Sequence, residues 1–543
     1  MKYKFAMILV SGVLLFTACK KNKVTPTSTP TPTPVNPVMP TRAELSKDSI
    51  FLYAKQIYLW NDAIPTYEVF NPRQYMTGAT DLAVYNSEVY AISQFKINPS
   101  TGRSFEYVAN SSSAKYSYVY DKTNKNPTAY IPTVSSVDLE GNGNDLGAKL
   151  GLYGSTSNYT TCFQAVYQNS PADKAGLKRG DRITKINGTA IGSNYAAEVD
   201  LINTFFTATT MALEGLKADG TPFSVTLTKA VYKSSPIYST KIFTSGAKKI
   251  GYLAYARFST LANSQAEFDA AFANFASAGI TDLIVDLRYN GGGYVNTAQY
   301  LINLIAPASL NGSVMFYEYY NSMMQNGQAT ILANQPLLDA NNKTQYSNGK
   351  IVTYADVSYS VQKNTEVFSK KGSLNAISNV VFLVTGSTAS ASELVINSLK
   401  PHVNVTLIGQ TTYGKPVGFF PITIENRYDV YFSLFQTKNV KGEGDYFAGF
   451  TPEHVLQEFV NPTTTTSPIR NFGDPAEIYV AKALSILAPG ITGFSNTGAN
   501  AAFSKNILSV VPDSYNSVYV PAQLPLSNRN EFLGMIETRH KLK

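Results

Sequence analysis

Apolar residues recur with helical spacing close to the start of the chain. In residues 46–60, Ile50, Ala54 and Ile57 fall at positions i, i+4 and i+7, which lie on one face of a helix. The pattern predicts a helix at that point. We expect this helix to begin a small, helical N-terminal domain that spans residues 44–135.

The middle of the chain, over residues 140–232, alternates short apolar runs with glycine-rich turns. This pattern is typical of short β-strands. The stretch SPADKAGLKRGDRI at 170–183 stands out because Pro171 occupies an early position of a short helix and Gly176 closes it. A strand is expected directly afterwards, over residues 182–186.

From residue 249 the pattern becomes an alternation of strand, helix and strand. Ser264 and Glu267 have the spacing of a helix capping box, and Gly279 has the position of a helix end. The remaining predicted elements are buried strands at 283–285, 380–384 and 405–408, a helix at 391–399, and a polar, Asn-rich insertion at about 308–374. The chain is therefore predicted to be a mixed α/β, multidomain protein whose core, over residues 240–490, is built from parallel-strand βαβ units.

Three loops follow the predicted core strands, at residues 290–293, 385–390 and 410–418. Right-handed crossovers place the carboxyl ends of parallel strands at one edge of a sheet, and α/β folds bind ligands at that edge. Residues far apart in the sequence are therefore expected to meet in one cleft.

The residues of these loops suggest nucleophilic catalysis. Ser390 falls at the start of a helix, where the N–H of Ala391 has no partner within the helix and can stabilise an oxyanion. Gly292 and Gly293 permit close approach of a substrate backbone and offer a second oxyanion donor. Lys415 can act as a base only if its pKa falls, because at a pKa of ~10.4 about one lysine in 2,500 is neutral at pH 7.

These motifs resemble the C-terminal processing (tail-specific) serine peptidases. The stretch ASASE at 389–393 is followed, 25 residues after its central serine, by a Gly-Lys turn, and both are similar to the family's catalytic segments. Residues 286–293 resemble the oxyanion-side loop of the family, and residues 449–453 resemble its segment after the lysine. The resemblance covers residues 45–487.

The resemblance implies a role for each matched residue. Ser390 would be the nucleophile and Lys415 the general base, while Ala391 with Gly292 or Gly293 would form the oxyanion hole. The implied reaction is hydrolysis of peptide bonds through an acyl-enzyme, with no metal and no cofactor.

The stretch at 170–183 resembles a PDZ domain of the bacterial protease type. The loop before Gly151 and Leu152 would present backbone N–H groups to the terminal carboxylate of a peptide, which would add to the domain edge as a strand. Unstructured protein C-termini are therefore the expected substrates. A PDZ fold that serves only as a spacer is the alternative.

Two positions depart from the family pattern. Pro401 stands where some members have Asp, and Phe419 stands where others have Gln. Glu393, or a residue from another segment, is then the candidate for orienting the lysine. These departures leave one alternative function open, a catalytically weak or inactive peptide-binding lipoprotein on the same scaffold. His402 lies at the far end of the predicted helix and is expected to be structural.

The first residues resemble a bacterial secretion signal. An apolar run at 5–16 follows two lysines and leads to FTAC at 16–19, which is similar to a lipobox. We expect a signal peptide over 1–18, lipidation at Cys19 and a Thr/Pro-rich tether over 19–43. The protein would then be exported and lipid-anchored to the outer membrane, on its periplasmic or cell-surface face.

The composition of the chain argues against nucleic-acid binding and metal binding. The net charge of +8 includes five lysines among the first 23 residues, with no basic patch of similar density elsewhere, so no nucleic-acid partner is expected. Three histidines and two cysteines in 543 residues disfavour a metal site. The C-terminal extension at 491–543 contains no motif, and the oligomeric state is open.

Overall fold

The fold comes from a computed structural model, which describes residues 39–76, 78–123, 137–339, 343–458, 469–490, 495–496, 523–524 and 534–543. Residues Arg42–Lys543 belong to one structural unit. The predicted signal peptide, Cys19 and most of the tether lie outside the described residues. Among those that are described, every helix is too short or too polar to cross a membrane.

The N-terminal segment is mainly helical, as predicted. Helix α1 buries Ile50, Ala54 and Ile57, although it begins four residues before the predicted start and ends three before the predicted end. The elements of this segment are α1 (Arg42–Ile57), α2 (Tyr67–Phe70), α3 (Asp81–Ser93), β1 (Ile97–Asn98), β2 (Arg103–Ser104) and β3 (Tyr118–Asp121).

The middle segment forms a sheet with short helices, as the glycine-rich pattern predicts. Ser170 caps its first helix by accepting a hydrogen bond from the Asp173 N–H at 3.2 Å, and Gly176 follows with a φ of 76°. The elements are β4 (Asn142–Asp145), β5 (Ala148–Ser155), β6 (Asn158–Val166), α4 (Pro171–Lys174), β7 (Arg182–Ile186), β8 (Thr189–Ala190), α5 (Tyr195–Asn203), β9 (Thr210–Leu216), β10 (Pro222–Thr228) and β11 (Ala230–Lys233). The main sheet has the order β10-β9-β7-β6-β5.

The core segment confirms the predicted alternation of strands and helices. Its first half comprises β12 (Ile237–Ser245), β13 (Lys248–Tyr255), α6 (Leu261–Ala278), β14 (Asp282–Asp286), β15 (Gly292–Tyr294), α7 (Val295–Ile305), β16 (Val314–Tyr320), α8 (Ser322–Gln325), β17 (Tyr346–Ser347), β18 (Lys350–Ile351) and β19 (Thr365–Val367). Its second half comprises β20 (Asn379–Val384), α9 (Ala391–Leu399), β21 (Asn404–Gly409), β22 (Val417–Gly418), β23 (Ile422–Ile424), β24 (Tyr428–Tyr431), β25 (Phe435–Asn439), β26 (His454–Val455) and α10 (Ile478–Leu487).

The central sheet positions the site. Its order is β26-β21-β20-β14-β13-β12, and the pairs β13–β14, β14–β20 and β20–β21 are all parallel. The loops after β14, β20 and β21 therefore leave from the same edge, which confirms that the three predicted loops converge.

The predicted capping box at Ser264 is wrong. Helix α6 begins at Leu261 with Thr260 as its N-cap residue, so Ser264 lies inside the helix. Its hydroxyl is buried and lies 3.1 Å from the Tyr255 hydroxyl. The local capping signal was outweighed by this tertiary contact. At the other end of the helix, the prediction is confirmed, because Gly279 follows the last helical residue with a φ of 71°.

Several long-range pairings were not predicted. The polar insertion contributes β16 to a small sheet of order β19-β16-β25-β22, and β3 of the N-terminal segment pairs with β24 of the core. At the end of the chain, β28 (Gln523–Leu524) pairs with β5, and β29 (Gly534–Ile536) pairs with β15. A short β27 (Ser495–Asn496) extends the central sheet beside β12.

Candidate active site

Ser390 is held in a strained backbone conformation at the start of α9. Its φ is 59°, in the left-handed region that residues other than glycine seldom adopt. The side chain is fully buried, and among the described residues its Oγ has no hydrogen-bond partner. Such strain is commonly found at functional sites. A buried, unpartnered hydroxyl at a helix N-terminus is free to act as a nucleophile.

One carboxylate joins Ser390 to Lys415. Oε2 of Glu393 accepts hydrogen bonds from the backbone N–H groups of both residues, at 2.9 and 2.8 Å. Its Oε1 accepts from the Gly414 N–H at 2.8 Å and from the Thr412 hydroxyl. Glu393 is fully buried, and burial raises its pKa even though these hydrogen bonds oppose the shift. The two loops that bear the predicted dyad are thus fastened to the same side chain.

Lys415 is buried against aromatic rings. The residue is 1% exposed, and its Nζ lies 4.4 Å from the centroid of the Phe419 ring and 5.6 Å from that of Tyr116. Burial lowers the pKa of Lys415 to about 7. About half of the lysine is then neutral at pH 7, compared with about one part in 2,500 for an exposed lysine. The amine is therefore suited to accept a proton near neutral pH.

The N-terminal segment supplies much of this environment. Burial also lowers the pKa of Lys115, to about 8, and its Nζ donates to the carbonyls of Gly414 and Phe447 at 3.2 and 2.8 Å. The positive charge of Lys115 lowers the pKa of Lys415 further, whereas the negative charge of Glu106 opposes this. Sequence reasoning missed these residues because no spacing links the N-terminal segment to the lysine loop.

The glycine loop lies against the serine. A Cβ built on Gly292 would come within 2.9 Å of the Ser390 Cβ, so a side chain at this position would fill the space beside Ser390. The Gly292 N–H donates to Oδ1 of Asn290 at 3.0 Å. The carbonyl of Asn290 accepts from the Ala389 N–H at 3.1 Å and from the Ser392 hydroxyl at 3.0 Å. Asn290 thus links the glycine loop to the serine loop, a role that the sequence did not reveal.

Gly151 and Leu152 lie apart from these loops, in β5 at the edge of the middle sheet. The backbone of Leu152 pairs in antiparallel register with Leu524 of the C-terminal extension. The predicted peptide-binding edge therefore already holds an added strand from the same chain.

A buried ionic network joins the loop after β14 to the middle segment. Arg288 donates to both carboxylate oxygens of Asp286, at 2.9 and 2.6 Å, which is the local pairing expected from the sequence. It also pairs with Glu458 at 3.0 Å and Glu477 at 2.8 Å. Arg179, from the 170–183 stretch, contacts Glu458 at 2.5 Å. The network fixes the middle sheet against the core.

The remaining candidates lie elsewhere. His402 follows the C-terminal end of α9, where its ring packs on Phe368 with centroids 4.9 Å apart. Cys162 is buried as a free thiol. Within the ranges that the structure describes, no group of three or more His, Cys, Asp or Glu side chains could hold a metal ion.

A buried serine at a helix N-terminus and a buried lysine lie on two loops that bond to one carboxylate at the edge of a parallel sheet. Serine hydrolases that use lysine as the base require these two groups. The sequence model of Peptidase family S41 matches residues 249–455, and the PDZ domain model matches residues 163–202. The chain therefore carries a family S41 peptidase domain and a PDZ domain, which confirms the resemblance stated from its motifs.

Named relatives agree with this assignment. The chloroplastic C-terminal processing peptidase of Tetradesmus obliquus is 24% identical over 320 residues, covering 56% of this chain and 59% of that protein. The carboxy-terminal processing protease CtpA of Bacillus subtilis is 28% identical over 250 residues, covering 46% of this chain and 43% of that protein. The chain thus spans less than two thirds of the length of these relatives.

A solved structure described as an S41 protease from Bacteroides fragilis NCTC 9343 has the same fold. It superposes with a TM-score of 0.51 at 21% sequence identity, covering 81% of this chain and 97% of that one. This likeness confirms the mixed α/β architecture with its parallel core.

Proposed function

We propose that the protein is a serine endopeptidase of the C-terminal processing type, with Ser390 as nucleophile and Lys415 as general base. The observation that supports this most directly is the burial of Lys415, which lowers its pKa to about 7, on a loop that bonds to the same carboxylate as the serine loop. The family S41 match over residues 249–455 supports the reaction class.

In this mechanism, neutral Lys415 takes the proton of the Ser390 hydroxyl as Oγ attacks the carbonyl carbon of the scissile bond. The protonated lysine then gives that proton to the leaving amine as the C–N bond breaks. Water attacks the resulting ester and releases the new carboxylate. The Ala391 N–H is one oxyanion donor. Because the Gly292 N–H is engaged by Asn290, we assign the second donor to Gly293.

We propose further that the PDZ domain recruits unstructured protein C-termini along β5, at Gly151 and Leu152. β5 is the edge strand of its sheet and accepts an added strand in this structure, which is the mode of binding by β-augmentation. Lipidation at Cys19 would hold the enzyme at a bacterial outer membrane, with no nucleic acid and no cofactor required. Labelling cells with a radioactive fatty acid, for wild type and Cys19→Ala, would test the anchor.

The catalytic assignment is tested by incubating the protein with an unfolded protein substrate and identifying products by mass spectrometry. We expect Ser390→Ala and Lys415→Ala to abolish cleavage without changing the melting temperature. Ser387→Ala, on the same loop, and Lys400→Ala, after the same helix, are matched controls that should retain it. Undiminished cleavage by Ser390→Ala would refute the proposal. Absence of cleavage by every form, with peptide binding intact, would favour the inactive peptide-binding lipoprotein.

A further inference from the structure

The C-terminal segment lies as a strand between the two walls of the candidate active site. On one side, β29 pairs in parallel with β15, with Gly534 opposite Gly292 and Met535 opposite Gly293. On the other side, the Phe419 N–H donates to the Met535 carbonyl at 2.9 Å, and the Glu537 N–H donates to the Phe419 carbonyl at 3.0 Å. The segment therefore fills a gap between the glycine loop and the strand that follows Lys415.

The register brings one peptide group to the nucleophile. The Gly534 N–H donates to the Gly291 carbonyl at 3.0 Å, and in a parallel ladder the next bond then runs from the Gly293 N–H to the Gly534 carbonyl. The point occupied by a Cβ built on Gly292 is 2.4 Å from that carbonyl oxygen and 2.9 Å from the Ser390 Cβ. The Gly534 carbonyl thus lies beside Ser390. It accepts the hydrogen bond of the Gly293 N–H, the group that we assign to the oxyanion hole.

Side chains beyond this point anchor the segment by shape and charge. Met535 is fully buried in the main apolar cluster. Arg539 lies 3.1 Å from a carboxylate oxygen of Glu366 and 3.8 Å from one of Glu318, and both carboxylates belong to the polar insertion. Lys541 adds a second ion pair with Glu366, at 2.5 Å. The insertion therefore presents acidic groups to a basic segment.

We propose that residues 534–543 occupy the peptide-binding cleft of their own enzyme, with the Gly534–Met535 bond at the position where substrates are cut. A substrate would bind as the same strand and must displace this segment first. The inference rests on the proposed peptidase function.

The contacts of the segment also define which substrates compete best. The Met535 site takes an apolar side chain, because it is fully enclosed. Four residues further along, Glu366 favours a basic side chain. The preferred substrate class is therefore a peptide with an apolar residue followed, four positions later, by Arg or Lys. Because β28 of the same extension lies on β5 of the PDZ domain, the extension engages both peptide-binding edges.

Displacing the segment in the full chain tests the proposal. The variant Met535→Asp with Arg539→Glu places charges where the cleft is apolar and acidic, so we expect hydrolysis of an unfolded protein to rise about tenfold or more. A synthetic peptide of residues 534–543 should then inhibit this variant when added separately. Leu52→Asp, a similar change at a residue of α1 that is 45% exposed and lies outside the segment, is the matched control and should stay at the wild-type rate.

Binding is measured independently of hydrolysis. A fluorescently labelled 534–543 peptide should bind the displaced variant carrying Ser390→Ala, and should bind wild type at least about tenfold more weakly, because the cleft of wild type is occupied. This readout remains valid even if the protein proves to have no peptidase activity. A folded variant that neither binds the peptide nor hydrolyses faster than wild type would show that the segment is a structural strand only.

Wild type provides a test that does not depend on variant folding. Hydrogen exchange at the amides of Gly534 and Glu537 should speed up when a competing peptide of the preferred class is added in excess. Unchanged exchange would overturn the proposal. The mass of the intact protein tests which bond lies at the cleavage position. A cut between Gly534 and Met535 that is absent in Ser390→Ala supports the proposed register, whereas a cut elsewhere in this segment contradicts it.

Discussion

Replacing Lys115 by methionine should make Lys415, the proposed general base, harder to deprotonate. The ammonium groups of Lys115 and Lys415 lie 5.2 and 5.6 Å from the centroid of the same Tyr116 ring. At a separation of roughly 10 Å and an effective dielectric constant of about 20, their repulsion is ~1.7 kcal/mol. Removing the positive neighbour stabilises protonated Lys415 by that amount, which raises its pKa by about one unit from about 7.

The assay is the pH dependence of kcat/KM with an unfolded protein or a fluorogenic peptide. Because the neutral amine is the active form, the midpoint of the acidic limb should move to higher pH by about one unit. The rate at pH 7 should then fall several-fold while the rate at pH 9 changes little. Only the midpoint of the pH profile tests the electrostatic effect. Loss of the hydrogen bonds from Lys115 to Gly414 and Phe447 can also lower the maximum value of kcat/KM.

A second lysine supplies the matched control. Burial lowers the pKa of Lys370 to about 8, and its Nζ donates to the backbone carbonyl of Leu304. Lys370→Met therefore removes a similar half-buried amine that is not among the groups shifting the pKa of Lys415. Its midpoint should match that of wild type. A midpoint that moves equally in both variants, or that moves to lower pH in Lys115→Met, would refute the electrostatic reasoning.

Three further predictions follow from the buried charges. Glu393→Gln should reduce kcat by roughly 10- to 100-fold with little change in KM, because the two loops that this carboxylate fastens would shift; an unchanged kcat would exclude the role. Arg179→Met should lower the free energy of unfolding by about 3 kcal/mol in urea titrations, since Glu458 loses a buried partner. Although burial opposes the shift, Arg179 and Arg288 lower the pKa of Glu458 to about 2, against ~4.3 when unfolded. The resulting stability should be present above about pH 4.3 and lost as the pH falls towards 2, with a flatter pH dependence in Glu458→Gln.

The parts of the site that were predictable from the sequence depend on local spacing and on parallel-sheet geometry. A strand that ends in a loop, followed by a helix, fixes where Ser390 lies, and the order of β14, β20 and β21 fixes which loops meet. Both are consequences of short segments and crossover handedness. The exact start of α6 was not predictable, because Ser264 satisfies the capping pattern yet forms a buried tertiary contact instead.

The parts that were missed depend on contacts between distant segments. Lys115 lies 300 residues before the lysine whose pKa it lowers, and Glu318 receives its basic partner from the last five residues of the chain. Neither segment has a periodicity or motif that encodes its partner. Burial and Coulomb interactions act through space, so a single sequence contains no local signal for them.

Phe419 changes how Lys415, the proposed base, must be activated. A side-chain amide there would hydrogen-bond the lysine and orient it, but Phe419 instead presents a ring 4.4 Å from Nζ. A ring face attracts the protonated amine weakly, whereas burial penalises its charge strongly and lowers the pKa to about 7. The same residue bonds the Met535 carbonyl and the Glu537 N–H through its backbone. Displacement of the C-terminal segment would therefore open the cleft next to this lysine, and water entering there would raise the lysine pKa unless a substrate strand took its place. On this reasoning, the base is most effective when a peptide fills the cleft, because only then is its ammonium form kept out of water.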